Sequence, residues 1–173
     1  PKITYTNFLY VQLITDFIKA VIKQPTDVLT SGLSGSFAVM ACKNDASIIR
    51  RIMMINPEDL AVLNQIPDRQ SKASKFLLEL PLIGTLVYNI LNSRPNIDLA
   101  FTEKYLHNPF HVDTELEDLY YESSHLENGA GKYLLASITG KYIYCNISHA
   151  LKTIDNSIYI LEGDSEPRAR ESV

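Results

Sequence analysis

The chain has 173 residues, of which 46% are hydrophobic and 21% are charged. This composition is typical of one globular domain with a real core and excludes a disordered chain. The net charge is -4 and there is no basic block, which argues against nucleic acid as the main partner. No apolar run reaches the roughly 20 residues of a membrane-spanning helix. We therefore expect no membrane span and a cytoplasmic location. Because the sequence begins with Pro1, we expect the native N-terminus to be missing from it.

The first elements are predicted to be a helix, a strand and a second helix. Apolar residues recur at helical spacing from Tyr5 to Lys23, and Pro25 ends the helix. The short run from Asp27 to Ser31 favours a strand, and the run from Phe37 to Lys43 favours a helix. A cluster of small residues, Gly-Leu-Ser-Gly-Ser at 32–36, lies between them.

Ser34 lies at the centre of this cluster. A strand, a sharp turn and a helix, with a serine at the apex and small residues around it, is the layout of a nucleophile elbow. We expect Ser34 itself to have the strained backbone of the apex, because large neighbours would clash there. Such a turn presents the serine hydroxyl at a helix N-terminus, where backbone N–H groups favour a developing oxyanion. The second small position is Ser36 rather than the usual glycine.

A second strand and a long helical region follow. The run Ile48 to Ile55 is typical of a strand buried in a parallel sheet, and Asn56-Pro57 stops it, so this part predicts a β-α-β unit. From residue 60 to 154 the pattern predicts several helices without a clear strand. Asp68 is expected to cap one of them, and Asn96 is expected to cap another after a break at Arg94-Pro95.

The last predicted strand leads into an acidic loop. Ser157 to Leu161 is again typical of a buried strand, and Glu-Gly-Asp-Ser-Glu-Pro follows at 162–167. In open α/β sheets the chemistry lies at the carboxyl ends of the strands. Both Ser34 and the acidic loop are predicted at such ends.

These motifs resemble the α/β-hydrolases, specifically the cap-bearing serine hydrolases of the esterase, lipase and haloperoxidase-like group of Gram-positive bacteria. The resemblance is carried by Ser-Gly-Leu-Ser-Gly-Ser-Phe-Ala after the first strand, by Ile-Asn-Pro after the second, and by Ile-Leu-Glu-Gly-Asp-Ser-Glu-Pro after the last. It implies an α/β fold: a partial α/β-hydrolase fold with about three parallel strands and a helical cap insertion. The implied organisation is a core part at 1–59, a cap at 60–154, and a core strand with acidic loop and polar tail at 155–173.

The resemblance implies a serine-dependent hydrolase that cleaves a carboxylic ester or similar acyl substrate through an acyl-enzyme. Ser34 is the implied nucleophile, and the N–H of Gly35 is the implied oxyanion donor. Glu166 is the implied triad acid, since it directly precedes a proline as the family's acid does. Asp164 is the alternative acid. Neither a cofactor nor a metal is implied.

The catalytic base is missing from the expected place. The family order is serine, acid, histidine, and no histidine follows Glu166; the histidines present are His107, His111, His125 and His149. The family also has further strands before the elbow and a last strand and helix after the acid. We therefore interpret the chain as the central fragment of a longer protein, inactive by itself.

Two alternatives remain open. The chain could be a non-catalytic binding or interaction protein on the same scaffold, or an acyltransferase whose acyl acceptor is not water. The expected partner is a small-molecule ester or acyl compound. A sheet of only about three strands has open edges, so self-association through those edges is also expected.

Overall fold

The structure is a computed structural model that describes residues 4–102 and 114–163. Its helices are α1 to α9, at Asn7–Phe17, Ser34–Asn44, Leu60–Leu63, Arg69–Glu79, Ile83–Leu91, Arg94–Ala100, Thr114–His125, Lys132–Thr139 and Ser148–Thr153. Its strands are β1 to β3, at Thr26–Ser31, Ile49–Ile55 and Ser157–Leu161. The described chain divides into a sheet unit, 5–66 with 141–163, and a helical unit, residue 4 with 67–102 and 114–140.

The sheet unit is built on three parallel strands in the order β1-β2-β3. Leu29 pairs with Met53 in register, and Met53 pairs with Tyr159. All three predicted strands are present, and β3 has the predicted bounds. The prediction that β3 is buried is wrong, because it is an edge strand here and only Ile158 is partly covered. Within the described residues β1 and β3 are the sheet edges. Leu29, Tyr159 and Ile160 are exposed there.

The core of this unit lies between β2 and α2. Ile49 and Ile52 of β2 are fully buried, as are Val39 and Cys42 of α2. Helix α1 packs against α2, with the Tyr10 ring stacked on Phe37 at a centroid distance of 5.0 Å. Helix α9 also packs on α2. These contacts fix the strand–helix junction after β1 in place.

The predicted first helix is present but its last part is irregular. Regular α-helix covers Asn7–Phe17, and a π-helical turn, Ile18–Ile22, continues it. Lys23 ends the turn in the left-handed conformation, with φ 60°. The helix therefore stops before Pro25, as predicted.

The helical unit contains α4 to α8. Asp68 caps α4 as predicted: its carboxylate accepts the Ser71 N–H at 2.7 Å, and the Ser71 hydroxyl accepts the Asp68 N–H at 2.9 Å. This reciprocal pair satisfies two N–H groups at the helix start. The predicted cap at Asn96 is wrong, because α6 begins at Arg94 and its N-cap is Ser93. Proline is tolerated in the first turn of a helix, so Pro95 opens α6 instead of breaking the chain there.

The helical unit is shorter than the predicted cap region, 60–154. Helix α3 and helix α9 both belong to the sheet unit, α9 because it packs on α2. That the helical unit acts as a cap over a site remains a prediction.

Candidate active site at the carboxyl ends of the strands

The junction between β1 and α2 takes only two residues. Strand β1 ends at Ser31, Gly32 and Leu33 form the turn, and α2 begins with Ser34. The Gly32 N–H continues the hydrogen bonding between β1 and β2, since it donates to the Ile55 carbonyl at 3.0 Å. The predicted strand, sharp turn and helix are therefore present, and Ser34 lies beside the carboxyl end of β1.

The left-handed residue of this turn is Gly32, with φ +55°. We expected this strained backbone at Ser34, and that expectation is wrong, because Ser34 is already the first residue of α2. A Cβ at position 32 would meet no atom within 4 Å. The sharpest point of the turn therefore lies in open space at a residue without a side chain.

The Ser34 hydroxyl is held against the end of β1. It donates to the Ser31 carbonyl at 2.7 Å and accepts the Ser31 N–H at 3.2 Å. The residue is only half-buried. In this arrangement the hydroxyl has both a donor and an acceptor partner, so attack on a substrate requires it to rotate away from Ser31.

Gly35 is buried directly behind Ser34. Its N–H donates to the Gly32 carbonyl at 3.3 Å, which is a long hydrogen bond. A Cβ at position 35 would lie 3.2 Å from the Met54 sulfur and 3.4 Å from the Thr30 hydroxyl. Glycine at this position lets α2 approach β1 and β2 closely. Its role as an oxyanion donor remains a prediction.

Two polar side chains fasten the buried side of the junction. Thr30 donates its hydroxyl to the Met53 carbonyl at 3.2 Å, and Ser36 donates to the Leu33 carbonyl at 2.8 Å.

Burial raises the pKa of the Cys145 thiol, and a hydrogen bond with Ser36 lowers it in part. Burial also raises the pKa of Cys42. Both thiols are free, and neither has the lowered pKa of a nucleophilic cysteine.

The two predicted acids, Asp164 and Glu166, lie outside the described residues. The described chain leads up to them: β3 ends at Leu161, and Glu162 is exposed. The Gly163 N–H donates to the Asn56 side-chain oxygen at 3.0 Å. The beginning of the acidic loop is therefore attached to the end of β2.

His149 contacts the end of α2 opposite to Ser34. The His149 Nδ1 atom lies 3.2 Å from the Lys43 Nζ atom, near the C-terminal end of α2, whereas Ser34 begins that helix. Nine residues of α-helix separate Ser34 from Lys43 by roughly 14 Å.

Of the other histidines, only His125 lies in the part of the chain that the structure describes. His125, in the helical unit, has its Nδ1 atom 2.8 Å from the Tyr121 carbonyl and 2.9 Å from the Ser124 hydroxyl. His107 and His111 lie outside the described residues.

No group of three or more metal-ligating side chains occurs among the residues that the structure describes. No single helix in the same part of the chain is long and apolar enough to cross a membrane; α4 and α5 reach that length and composition only together, across a bend of 94°.

No protein-family model and no curated protein matches the sequence. Solved structures do match its fold. A carboxylesterase structure from the thaumarchaeon Nitrososphaera gargenis is 11% identical, with a TM-score of 0.56, covering 93% of this chain and 55% of its own. MGS-M2, an α/β-hydrolase enzyme from a Medee basin deep-sea metagenome library, is 14% identical, with a TM-score of 0.55, covering 92% of this chain and 55% of its own. The mutant DBJA structure is 12% identical, with a TM-score of 0.56, covering 99% of this chain and 63% of its own.

These likenesses show the fold. The parallel sheet with its helices matches α/β-hydrolase structures, so the predicted partial α/β-hydrolase fold is confirmed. The chain spans little more than half the length of the first structures it matches.

Sequence reasoning missed two residues at this edge of the sheet. The sequence predicts Gly32 only as a small neighbour of the apex and Asn56 only as the residue that stops the second strand. The signal for Asn56 was present, since asparagine tolerates the left-handed backbone and disfavours strand continuation.

Proposed function

We propose that the chain is the central part of a serine hydrolase that cleaves carboxylic esters or similar acyl compounds. The observation that carries the proposal is the position of Ser34. It is half-buried, it opens α2, and it follows β1 at the carboxyl edge of a parallel sheet. The first N–H groups of a helix and its dipole favour negative charge at such a position.

In the proposed reaction the Ser34 hydroxyl leaves the Ser31 carbonyl and gives its proton to a base. Its oxygen attacks the acyl carbon, and the carbonyl oxygen becomes an oxyanion near the start of α2. The Gly35 N–H is the proposed donor to that oxyanion, which requires it to release its long bond to the Gly32 carbonyl. Collapse expels the alcohol with the proton from the base, and water then hydrolyses the acyl-enzyme.

The proposed triad acid is Glu166, with Asp164 as the alternative. An acid at this place orients the base and stabilises its cation. Since no histidine follows Glu166 in the family's order, and His149 contacts the end of α2 opposite to Ser34, we propose that the base comes from outside this chain. The isolated chain is then inactive, and the proposal of a longer parent protein accounts for its partial coverage of the matched structures.

A second candidate function is ligand binding without catalysis. The observation that favours it is that the left-handed apex of the turn is Gly32 and not Ser34. The apex therefore has no hydroxyl that could act as a nucleophile. A third candidate, acyl transfer to an acceptor other than water, uses the same Ser34 chemistry. Product analysis with alcohol or thiol acceptors separates acyl transfer from hydrolysis.

The test is labelling with a fluorophosphonate probe, with and without added imidazole as a substitute base. We expect imidazole to promote labelling, with mass spectrometry locating the modification at Ser34. Ser34→Ala should abolish the labelling. Ser31→Ala, which changes the exposed neighbouring serine, should retain it. Absence of Ser34 labelling in the presence of imidazole would refute the nucleophile and favour the binding protein.

A further inference from the structure

The end of β2 is hydrogen-bonded to both neighbouring strand ends. On one side the Ile55 carbonyl accepts the Gly32 N–H at 3.0 Å. On the other side the Asn56 N–H donates to the Leu161 carbonyl at 2.8 Å. The Asn56 side-chain oxygen also accepts the Gly163 N–H, at 3.0 Å. Two consecutive residues thus connect the turn before Ser34 with the beginning of the acidic loop.

The backbone at Asn56 limits which residues can make these bonds. Its φ is +44°, in the left-handed region that most side chains avoid and that asparagine and aspartate tolerate. Pro57 follows and disfavours the right-handed helical conformation at position 56. Glycine would fit the backbone but has no side-chain acceptor. Position 56 therefore needs both a tolerated left-handed backbone and a short side chain with an oxygen.

We infer that Asn56 is a positioning residue that holds the start of the acidic loop at the carboxyl edge of the sheet. Gly163, which it binds, directly precedes Asp164. In the sequence, the proposed acids Asp164 and Glu166 follow this attachment point by one and three residues. The inference rests on the proposed function only for the catalytic role of those acids.

The same strand end also holds the turn before the proposed nucleophile. The same strand end holds Gly32 through Ile55, two residues before Ser34. Loss of the Asn56 side chain releases the loop from β2 without changing the bond that holds Gly32. The side chain thus attaches Gly163 to the strand end that also holds Gly32.

The test uses two substitutions in the full chain. Asn56→Gly keeps the left-handed backbone and removes the acceptor, while Asn56→Asp keeps both. The control is Lys23→Gly, which changes another left-handed residue of the sheet unit, with φ 60°. The measurement is the hydrogen-exchange rate of the Gly163 amide, followed by NMR, together with the thermal midpoint of each variant.

We expect the Gly163 amide to exchange about tenfold faster in Asn56→Gly, which corresponds to the loss of one hydrogen bond. In Asn56→Asp and in Lys23→Gly the rate should stay within about threefold of the parent. Unchanged Gly163 exchange in Asn56→Gly would overturn the inference. So would equally fast exchange in Asn56→Asp, and that result remains decisive even if Asn56→Gly fails to fold.

The outcome is separable from that of the proposed function. Amide exchange at Gly163 does not depend on the chemistry of Ser34. If fluorophosphonate fails to label Ser34 and Asn56→Gly still releases Gly163, the hydrolase proposal fails and the positioning role stands. If Ser34 is labelled and Gly163 is unaffected by Asn56→Gly, the positioning role fails and the hydrolase proposal stands.

Discussion

A Cβ on Gly84 would lie 1.8 Å from the carbonyl oxygen of Leu78. Gly84 is buried near the start of α5, where the chain bends away from α4, and its neighbour is backbone and not a flexible side chain. Only glycine allows this close approach of the two helices.

We therefore expect Gly84→Ala to destabilise the protein by about 3 kcal/mol or more, since the backbone of α4 must move. The matched control is Gly35→Ala, whose nearest contact is the flexible Met54 side chain at 3.2 Å. It should cost less than about 1.5 kcal/mol. Urea unfolding of both variants checks this, and an equal effect of the two would contradict the packing argument.

Tyr88 makes a second specific contact in the helical unit. It is 6% exposed, burial raises the pKa of its hydroxyl, and that hydroxyl donates to the Ser124 carbonyl at 3.0 Å. Tyr88→Phe leaves this carbonyl without that donor and should destabilise the protein by about 1 kcal/mol. Tyr120→Phe is the control, since Tyr120 is 51% exposed. The thermal midpoint should fall in the first variant only.

The environment of the Asp45 carboxylate should make the stability of the protein depend on pH. Its carboxylate lies 2.7 Å from the Lys19 Nζ atom and accepts the hydroxyl of Ser47 at 2.6 Å and its N–H at 3.2 Å. Hydrogen bonds from Lys19 and Ser47 lower its pKa from 3.8 to about 2. A carboxyl whose folded pKa is lowered contributes stability above its unfolded pKa, and that contribution is lost as the pH falls through the folded pKa.

Asp45→Asn should therefore be less stable than the parent chain at pH 6. The difference should shrink between about pH 4 and pH 2. The measurement is urea unfolding across this range, with the exposed Asp155→Asn as control. A difference between parent and variant that stays constant over the range would refute the role of the ionised carboxylate.

A substitution at Gly32 tests which position of the turn carries the nucleophile. Gly32→Ser should fold, because a Cβ there meets no atom within 4 Å, but the positive φ should cost about 1–2 kcal/mol. If Ser34 is the nucleophile, the new hydroxyl should not replace it, and Gly32→Ser combined with Ser34→Ala should resist fluorophosphonate. Labelling of the double variant at residue 32 would instead show that position 32, and not position 34, is the nucleophile position of the turn.

The edge of β1 is expected to mediate self-association. An apolar groove of about 480 Å³ runs beside it, lined by residues of α1 such as Leu13 and Phe17 and by Val28 and Leu29 of the strand. Leu29 is 63% exposed. Leu29→Lys should shift a concentration-dependent sedimentation profile toward the monomer, because a lysine on an edge strand opposes pairing. The matched control is Leu119→Lys, on a leucine that is 61% exposed in the helical unit. An unchanged profile for Leu29→Lys would exclude the β1 edge.

The strands of the sheet could be predicted because their signals are local. The apolar runs at Ile48 to Ile55 and Ser157–Leu161 are typical of parallel strands, and they form β2 and β3. The exposure of β3 was not predictable, because it depends on which neighbours cover the strand. The cap at Asp68 was predictable for the same reason, because an N-cap is decided by residues within one helical turn. The start of α6 was not predictable in this way, since a proline can either break a helix or open one.

The candidate site could be predicted only in part. Sequence alone placed a serine where a strand is followed by a helix, and the structure has Ser34 as the first residue of that helix, α2. The identity of the left-handed residue depended on where the pairing of β1 with β2 ends, and Gly32 is still bonded to Ile55. That is a contact between distant parts of the chain, which a pattern of small residues does not contain.

The sequence by itself determined the parallel strands, the helix after the first of them, and the small residues that allow a tight turn, since periodicity and residue size act within a few positions. Only the tertiary structure decided that Ser34 rests on Ser31, that His149 lies at the far end of α2, and that Asn56 binds Gly163. Asn56 and Gly163 are 107 residues apart in sequence. Their hydrogen bond exists because the sheet brings the carboxyl ends of β2 and β3 side by side.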